Sequence, residues 1–246
     1  MAPTWPRIVG HRGAAGAAPE NTLAGLRIAK ELGARWVELD LRLTRDRCPV
    51  LLHDRRVDRT TDGRGAAEDL TWSALRRLDA GAWFAPQFRG ERVPSLMEAI
   101  ALLEELELGA VFELKPAPAD GMETGRVVAE TLTRHWPRKL PPPLVSSFDA
   151  AALLAARAAA PEISRALAVG AVPGDWQEQA EALGCVAVHA DHRALDQALV
   201  ANVAARLPLW AYTVNEPERA RELFAWGLTA VFTDRPDLIS SAIERT

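Results

Sequence analysis

Two short stretches of the chain carry carboxylates where a β-strand would present its inward face. In Trp36-Val-Glu-Leu-Asp-Leu-Arg42, period-two alternation puts Val37, Leu39 and Leu41 on one side and Glu38 and Asp40 on the other. In Val111-Phe-Glu-Leu-Lys115, Phe112 and Leu114 face one way, while Val111, Glu113 and Lys115 face the other. Three clustered oxygen ligands without a thiolate suit a hard divalent cation, Mg²⁺ or Ca²⁺, rather than zinc. Either strand alone reads better as a buried ion network neutralised by Arg12 and Lys115, and two such strands together reverse that preference in favour of the cation. His11 and His53 each close a short β-rich run. With an unperturbed pKa of about 6.5, such a pair can supply one acid and one base near neutral pH. His135, His189 and His192 have no matching carboxylates in their surroundings and read as structural. Lysine occurs only at positions 30, 115 and 139, so an inward Lys115 in an arginine-rich chain suggests a point charge for a phosphate oxygen. Cys48 and Cys185 read as apolar fillers, and Ser146 and Ser147 are not set in a nucleophile elbow.

These residues need a scaffold, and the chain supplies one rhythm throughout. Strand-like runs at 7–13, 36–44, 110–115, 144–148, 165–169, 186–190, 207–214 and 230–233 alternate with helical runs near 21–32, 95–107, 121–136, 149–159, 175–183, 193–204, 216–226 and 236–244. Eight βα units predict a (β/α)8 (TIM) barrel, and no Gly-rich nucleotide fingerprint supports an open sheet. Both histidines would then stand at C-terminal ends of strands, the face where barrels place catalysis. Asn21, Ser95 with Glu98, and Asp149 are expected to cap helices. Gly33, Gly109, Gly184 and Gly227 are expected just past helix ends. One stretch breaks the rhythm: after a short strand at 49–52, roughly residues 55–94 form an insertion carrying Trp72, Trp83, Phe84 and Phe88. Those aromatics either pack the insertion's own core or wall a substrate cleft. The expectation is one domain over 1–246, with this insertion after the second strand.

Composition narrows the partners. The 246 residues are 48% apolar and 25% charged, with a net charge of −4, which gives no basic field for nucleic acid or anionic lipid. No window is apolar enough to span a membrane, and the first ten residues lack a basic-then-apolar leader. Two cysteines cannot build a disulfide framework, and a cytoplasmic location is expected.

The ordered set His11-Arg12-Gly13, Pro19-Glu20-Asn21-Thr22, Glu38-Leu39-Asp40, Thr44 with Asp46, His53-Asp54, Val93-Pro94-Ser95-Leu96, Phe112-Glu113-Leu114-Lys115, Ser147-Phe148, Tyr212-Thr213-Val214-Asn215 and Thr233-Asp234-Arg235-Pro236 resembles the glycerophosphodiester phosphodiesterase family. The resemblance runs almost the whole chain. It implies the barrel with its insertion over the mouth, Glu38, Asp40 and Glu113 as ligands of one Mg²⁺ or Ca²⁺, and His11 and His53 as the acid–base pair. It further implies Arg12 and Lys115 as phosphate ligands, with Phe148, Tyr212 and Trp83 expected against the substrate's organic part. The family often has Gly after the aspartate of Thr-x-Asp, where this chain has Arg47 and Cys48; the departure touches a turn. Tyr212 stands where many members have Trp. The implied reaction is metal-dependent hydrolysis of a glycerophosphodiester to glycerol 3-phosphate and an alcohol, by water directly or through a cyclic phosphate. The small-molecule diester is the expected partner. The rival readings are a phospholipase D-like or cyclic-phosphate-forming lyase acting on lysophospholipids, and a barrel that binds phosphodiesters without turnover.

Overall fold

The computed structural model describes residues 5–243; the ends of the chain, including part of the leader reading and the last residue of the final predicted helix, lie outside them. The chain runs β1 (Ile8–Gly10), α1 (Leu23–Glu31), β2 (Trp36–Leu43), β3 (Pro49–Leu51), α2 (Trp72–Leu75), α3 (Leu96–Leu106), β4 (Gly109–Leu114), α4 (Gly121–His135) and β5 (Leu144–Ser147). It continues α5 (Ala150–Ala159), β6 (Ser164–Val169), α6 (Trp176–Leu183), β7 (Ala187–Asp191), α7 (Gln197–Ala204), β8 (Leu209–Tyr212), α8 (Pro217–Ala225), β9 (Ala230–Thr233) and α9 (Pro236–Ile243). β1, β2 and β4 to β9 pair in parallel, and β1 bonds both β9 and β2, which closes the ring. β3 lies outside that ring, antiparallel to β2.

The alternation read from sequence explains why the ring is stable. Outward-facing Val37, Leu39, Leu41, Phe112 and Leu114 are buried against Leu26 of α1, Leu103 of α3 and Leu132 of α4. Inward, Val9, Trp36, Val111, Leu144, Ala166, Ala187, Trp210, Ala230 and Phe232 fill one end of the barrel. Trp5 lies edge-on to Trp36 and Trp210, at 6.3 and 5.5 Å between ring centroids. Two residues further along the same strands, the inward positions become Glu38, Glu113, Ser146, Ala168, His189 and Tyr212. The barrel is therefore apolar in its lower half and polar at its mouth.

Local details correct the sequence reading in four places. β1 is shorter than expected because the backbone turns immediately after it, with Arg12 at φ 51° and Gly13 at φ 89°. The cap of α1 is Thr22, whose hydroxyl accepts the Gly25 N–H, and Asn21 serves Asp40 instead. The left-handed residue after α3 is Glu107, at φ 54°. Gly109 opens β4 instead, where a Cβ would lie 2.4 Å from the Trp36 ring. The insertion's core is aliphatic, built from Val50, Leu52, Val57, Ala67, Leu75, Ala80 and Val93 with Trp72 packed beside it. Trp83, Phe84 and Phe88 form a separate edge-to-face chain.

Candidate active site

Nine chain segments converge on a cavity of about 190 Å³ at the mouth, lined by His11, Arg12, Glu38, His53, Glu113, Lys115, Ser146, Phe148, Ala168, His189, Tyr212, Thr213 and Phe232. Glu38, Asp40 and Glu113 each place a carboxylate oxygen within 4.8 Å of the others. Asp40 is the best compensated: Asn21 Nδ2 donates to Oδ2 at 2.8 Å, Arg12 Nε lies 3.3 Å away and Lys115 Nζ 3.5 Å away. Burial opposes ionisation of Asp40, and Lys115 and Arg12 outweigh it, so its pKa falls below the usual carboxylate range. Glu38 goes the other way. Burial and then the charges of Asp40 and Glu113 raise its pKa well above normal, although the Arg12 backbone N–H donates to Oε2 at 3.1 Å. Burial and Asp40 likewise raise Glu113, despite Lys115 Nζ at 2.6 Å.

Those directions test whether a cation suits the site. Glu38 Oε1 is buried and accepts no hydrogen bond among the described residues, and Asp40 Oδ1 and Glu113 Oε1 are approached only by the Lys115 ammonium. Three acids, Glu38 and Asp40 buried and Glu113 partly so, share two cations, and two of the acids are driven towards protonation. A further positive charge fits that deficit, and an all-oxygen donor set fits a hard divalent ion.

The histidines reach this centre by different routes. His11 follows β1, donates its backbone N–H to Thr233 O at 2.8 Å, and its Nδ1 meets Asp234 Oδ1 at 2.7 Å. Asn215 Nδ2 donates to the other Asp234 oxygen at 2.7 Å, and its Oδ1 accepts the Asp234 N–H. Burial opposes ionisation of Asp234, but the bond and charge of His11, with the Asn215 hydrogen bond and the charge of Arg12, together outweigh it, so its pKa is lowered. His53 follows β3, which is not a barrel strand. The hairpin runs up β2 and back down, Leu52 N–H bonds Asp40 O at 3.0 Å, and His53 arrives beside the mouth. His53 does close a short strand, as read from sequence, and that strand is an antiparallel excursion from β2 that brings it to the catalytic face of the barrel. His53 Nδ1 meets Asp54 Oδ1 at 2.7 Å, and Arg59 Nε donates to Asp54 Oδ2 at 2.6 Å. Arg59 also grips Glu20, with both contacts at 2.8 Å, and Glu20 in turn accepts from Arg12 at 2.8 Å. Burial lowers the His53 pKa, against the charge of Asp40. The hydrogen bond from Arg59 holds Asp54 well below the normal range.

Arg42, next but one to Asp40, donates to His53 O at 2.9 and 2.7 Å and to Lys115 O at 2.9 Å. It ties the hairpin to the end of β4. On the rim, Phe148 is exposed, 5.6 Å from Lys115 Nζ and edge-on to Tyr212 at 6.1 Å. The Tyr212 hydroxyl is spent on Val169 O at 2.6 Å, leaving its ring for the cavity. Trp83 is absent from the lining; its indole N–H donates to Ala80 O, and its ring sits on Phe84. His189, read as structural, lines the cavity, whereas His135 and His192 do not. The orienting residues Asp54, Asp234 and Asn215 stood inside the quoted motifs but announced no role. Arg42 and Arg59 gave no local signal, since their partners lie on other segments.

The fold and the site together define a (β/α)8 barrel whose mouth gathers two aspartate-bonded imidazoles and two cations around three clustered carboxylates. Residues 11–238 match the Glycerophosphoryl diester phosphodiesterase family, and the chain belongs to it. It is an enzyme, a phosphoric diester hydrolase. The chain is 35% identical over 242 residues to the Bacillus subtilis (strain 168) protein YhdW, covering 94% of this chain and 96% of that one. To the glycerophosphodiester phosphodiesterase of the same organism it is 31% identical over 270 residues, covering 97% and 86%. An Oleispira antarctica phosphodiesterase, solved in complex with the product sn-glycerol-3-phosphate, superposes with a TM-score of 0.94 at 41% identity, covering 97% of each chain.

Proposed function

We propose that this single domain, with its insertion over roughly 55–94, hydrolyses glycerophosphodiesters to sn-glycerol 3-phosphate and an alcohol, and that it does so in the cytoplasm. The observation that carries the reading is the convergence of two carboxylate-oriented imidazoles on one acidic centre flanked by Arg12 and Lys115. A barrel that only bound the diester would need the cations but not two titrating groups aimed at one cavity. Glu38, Asp40 and Glu113 would hold one divalent cation, Mg²⁺ or Ca²⁺, which supplies Lewis acidity at the phosphate when bound.

The chain's own residues do the rest. Arg12 and Lys115 bind the phosphate and stabilise charge gathering on its oxygens. His11 and His53 divide the proton transfers, one accepting from the attacking hydroxyl and the other protonating the departing alkoxide through Nε2, because each Nδ1 is occupied by its aspartate. Phe148 and Tyr212 flank the alcohol where it leaves the mouth, and Trp83 touches only a group long enough to pass the rim. No helix among the described residues is long and apolar enough to cross a membrane, and both cysteines are free, in keeping with a reducing compartment.

The test is a product assay on glycerophosphocholine, glycerophosphoethanolamine and a lysophospholipid, after chelation and re-addition of Mg²⁺ or Ca²⁺. Glycerol 3-phosphate should form from the first two only when a cation is restored. A cyclic phosphate from the lysolipid alone would overturn the assignment, as would full turnover in chelator.

A further inference from the structure

The cavity has two chemically distinct ends. Towards solvent it is bounded by Phe148, which is 52% exposed, and by the half-buried ring of Tyr212. At its closed end stand Ser146, Ala168, His189 and Phe232, none more than 4% exposed. His189 is the unexplained residue there. Its ring stacks on Trp210 at 5.0 Å and stands edge-on to Phe232 at 4.9 Å. Its Nε2 is buried without a hydrogen-bond partner among the described residues. Ser146, 2% exposed, stands on the same cavity wall. A buried polar atom without a partner costs about 1–3 kcal/mol, so a polar imidazole in an aromatic box is a poor choice for packing alone.

Shape decides which part of a diester this end can take. The cavity is closed at Ser146, Ala168, His189 and Phe232 and open past the exposed Phe148, so one arm of a diester held at its centre points inward and the other outward. The arm that varies between substrates suits the open rim, and the constant arm suits the closed end. With phosphate held by Arg12 and Lys115, a three-carbon polyol is short enough to reach the floor.

We propose that His189, with Ser146 beside it, is a specificity-determining residue that hydrogen-bonds the terminal hydroxyl of the substrate's glycerol arm; this rests on the function proposed above. Burial disfavours the charged ring, so His189 stays neutral and keeps one nitrogen as donor and the other as acceptor, the complement of a hydroxyl. A site built to bond a hydroxyl discriminates strongly against an analogue lacking it, because its own polar atoms are then left unpaired.

The experiment compares glycerophosphocholine with the phosphocholine diester of propane-1,2-diol, esterified at its primary hydroxyl, which keeps the hydroxyl next to the ester and lacks only the terminal one. Wild-type enzyme should prefer the first by about tenfold or more in kcat/KM. His189→Phe keeps the stacking ring and removes both nitrogens; it should lose most of that preference, by lowering kcat/KM for the glycerol diester while sparing the diol diester. The ratio is taken within one preparation, so a partly unfolded variant does not distort it. Ser146→Ala should lower the ratio by a smaller factor. An unchanged ratio in His189→Phe, or equal losses on both substrates, would overturn the inference while leaving the proposed function intact. Failure of the wild-type enzyme to hydrolyse either diester would overturn both.

Discussion

The two histidines invite comparison because they make the same short Nδ1 contact, 2.7 Å to an aspartate, on scaffolds of opposite character. His11 is fixed wholly within the ring: its backbone bonds the end of β9, and its aspartate is locked by Asn215 from the segment after β8. His53 hangs on a hairpin outside the ring, and its aspartate is locked by Arg59, a residue of the insertion. One orientation is a property of the barrel, the other of the barrel plus its excursion. Yet the second is not loosely held, because Arg59, Glu20 and Arg12 form an unbroken chain of charged contacts back to Asp40. Two like imidazole–aspartate contacts at this site are reached on unlike supports.

The largest effect should come from removing either imidazole. His11→Ala and His53→Ala should each lower turnover by about 10²–10⁴-fold with fold and cation binding retained, and the double variant should cost less than the product of the singles. Near wild-type turnover in either single variant, at saturating cation, would remove that histidine from the pair. Next, Asp234→Asn and Asp54→Asn should each cost about ten- to a hundredfold in turnover with little change in KM, as for other carboxylates that orient an imidazole.

A double-mutant cycle then separates the two supports. Arg59→Gln and Asp54→Asn should be coupled, towards the low end of about 0.5–3 kcal/mol because Arg59 is partly exposed, whereas Arg59→Gln and Asp234→Asn should add to within about 0.5 kcal/mol. Equal coupling in both cycles would mean the arms are not independent. Smaller still, Trp83→Ala should shift the kcat/KM ratio between choline- and ethanolamine-headed substrates by a few-fold at most, as expected of a ring outside the cavity. Equal losses on both, with a lower unfolding temperature, would assign Trp83 to packing within the insertion. The smallest effect concerns acid stability. The Asp54 pKa is depressed in the folded chain, so its stabilisation is complete above the unfolded value of about 3.9 and disappears as pH falls towards the folded one. Urea unfolding of wild type should therefore weaken more steeply below pH 4 than that of Asp54→Asn, by a modest margin given its exposure.

How much of this was legible beforehand depended on the range of the interaction. Glu38, Asp40 and Glu113 stood out because a barrel strand covered by helices must be apolar outside, so alternating acids can only point in. The eight βα units were readable for the same reason. Asn21 looked like a helix cap because Asx residues usually are, and only the tertiary approach of Asp40 shows its amide is needed there. Gly109 looked like a helix stop because its real constraint, the Trp36 ring, lies 73 residues earlier. Arg42 and Arg59 act on partners brought near by folding, and no local pattern encodes that. His53 stood out because it closes a short strand, and folding brings it to the cavity although that strand lies outside the ring.

That last feature bears on how such a chain can change over generations. In an antiparallel hairpin, the turn at 44–48 and the strand after it tolerate alteration very differently. Extra residues among the exposed positions 45–47 lengthen the turn at the cost of contacts such as Trp72 N–H to Asp46 Oδ1, while the ladder from Leu43↔Pro49 to Leu41↔Leu51 stays in step. A single residue gained or lost between Leu51 and His53 displaces the imidazole by about 3.4 Å and turns it to the opposite face. The hairpin therefore works as a ruler with one free end and one graduated end, and length variation among descendants should accumulate at the turn and be purged from the two residues before His53.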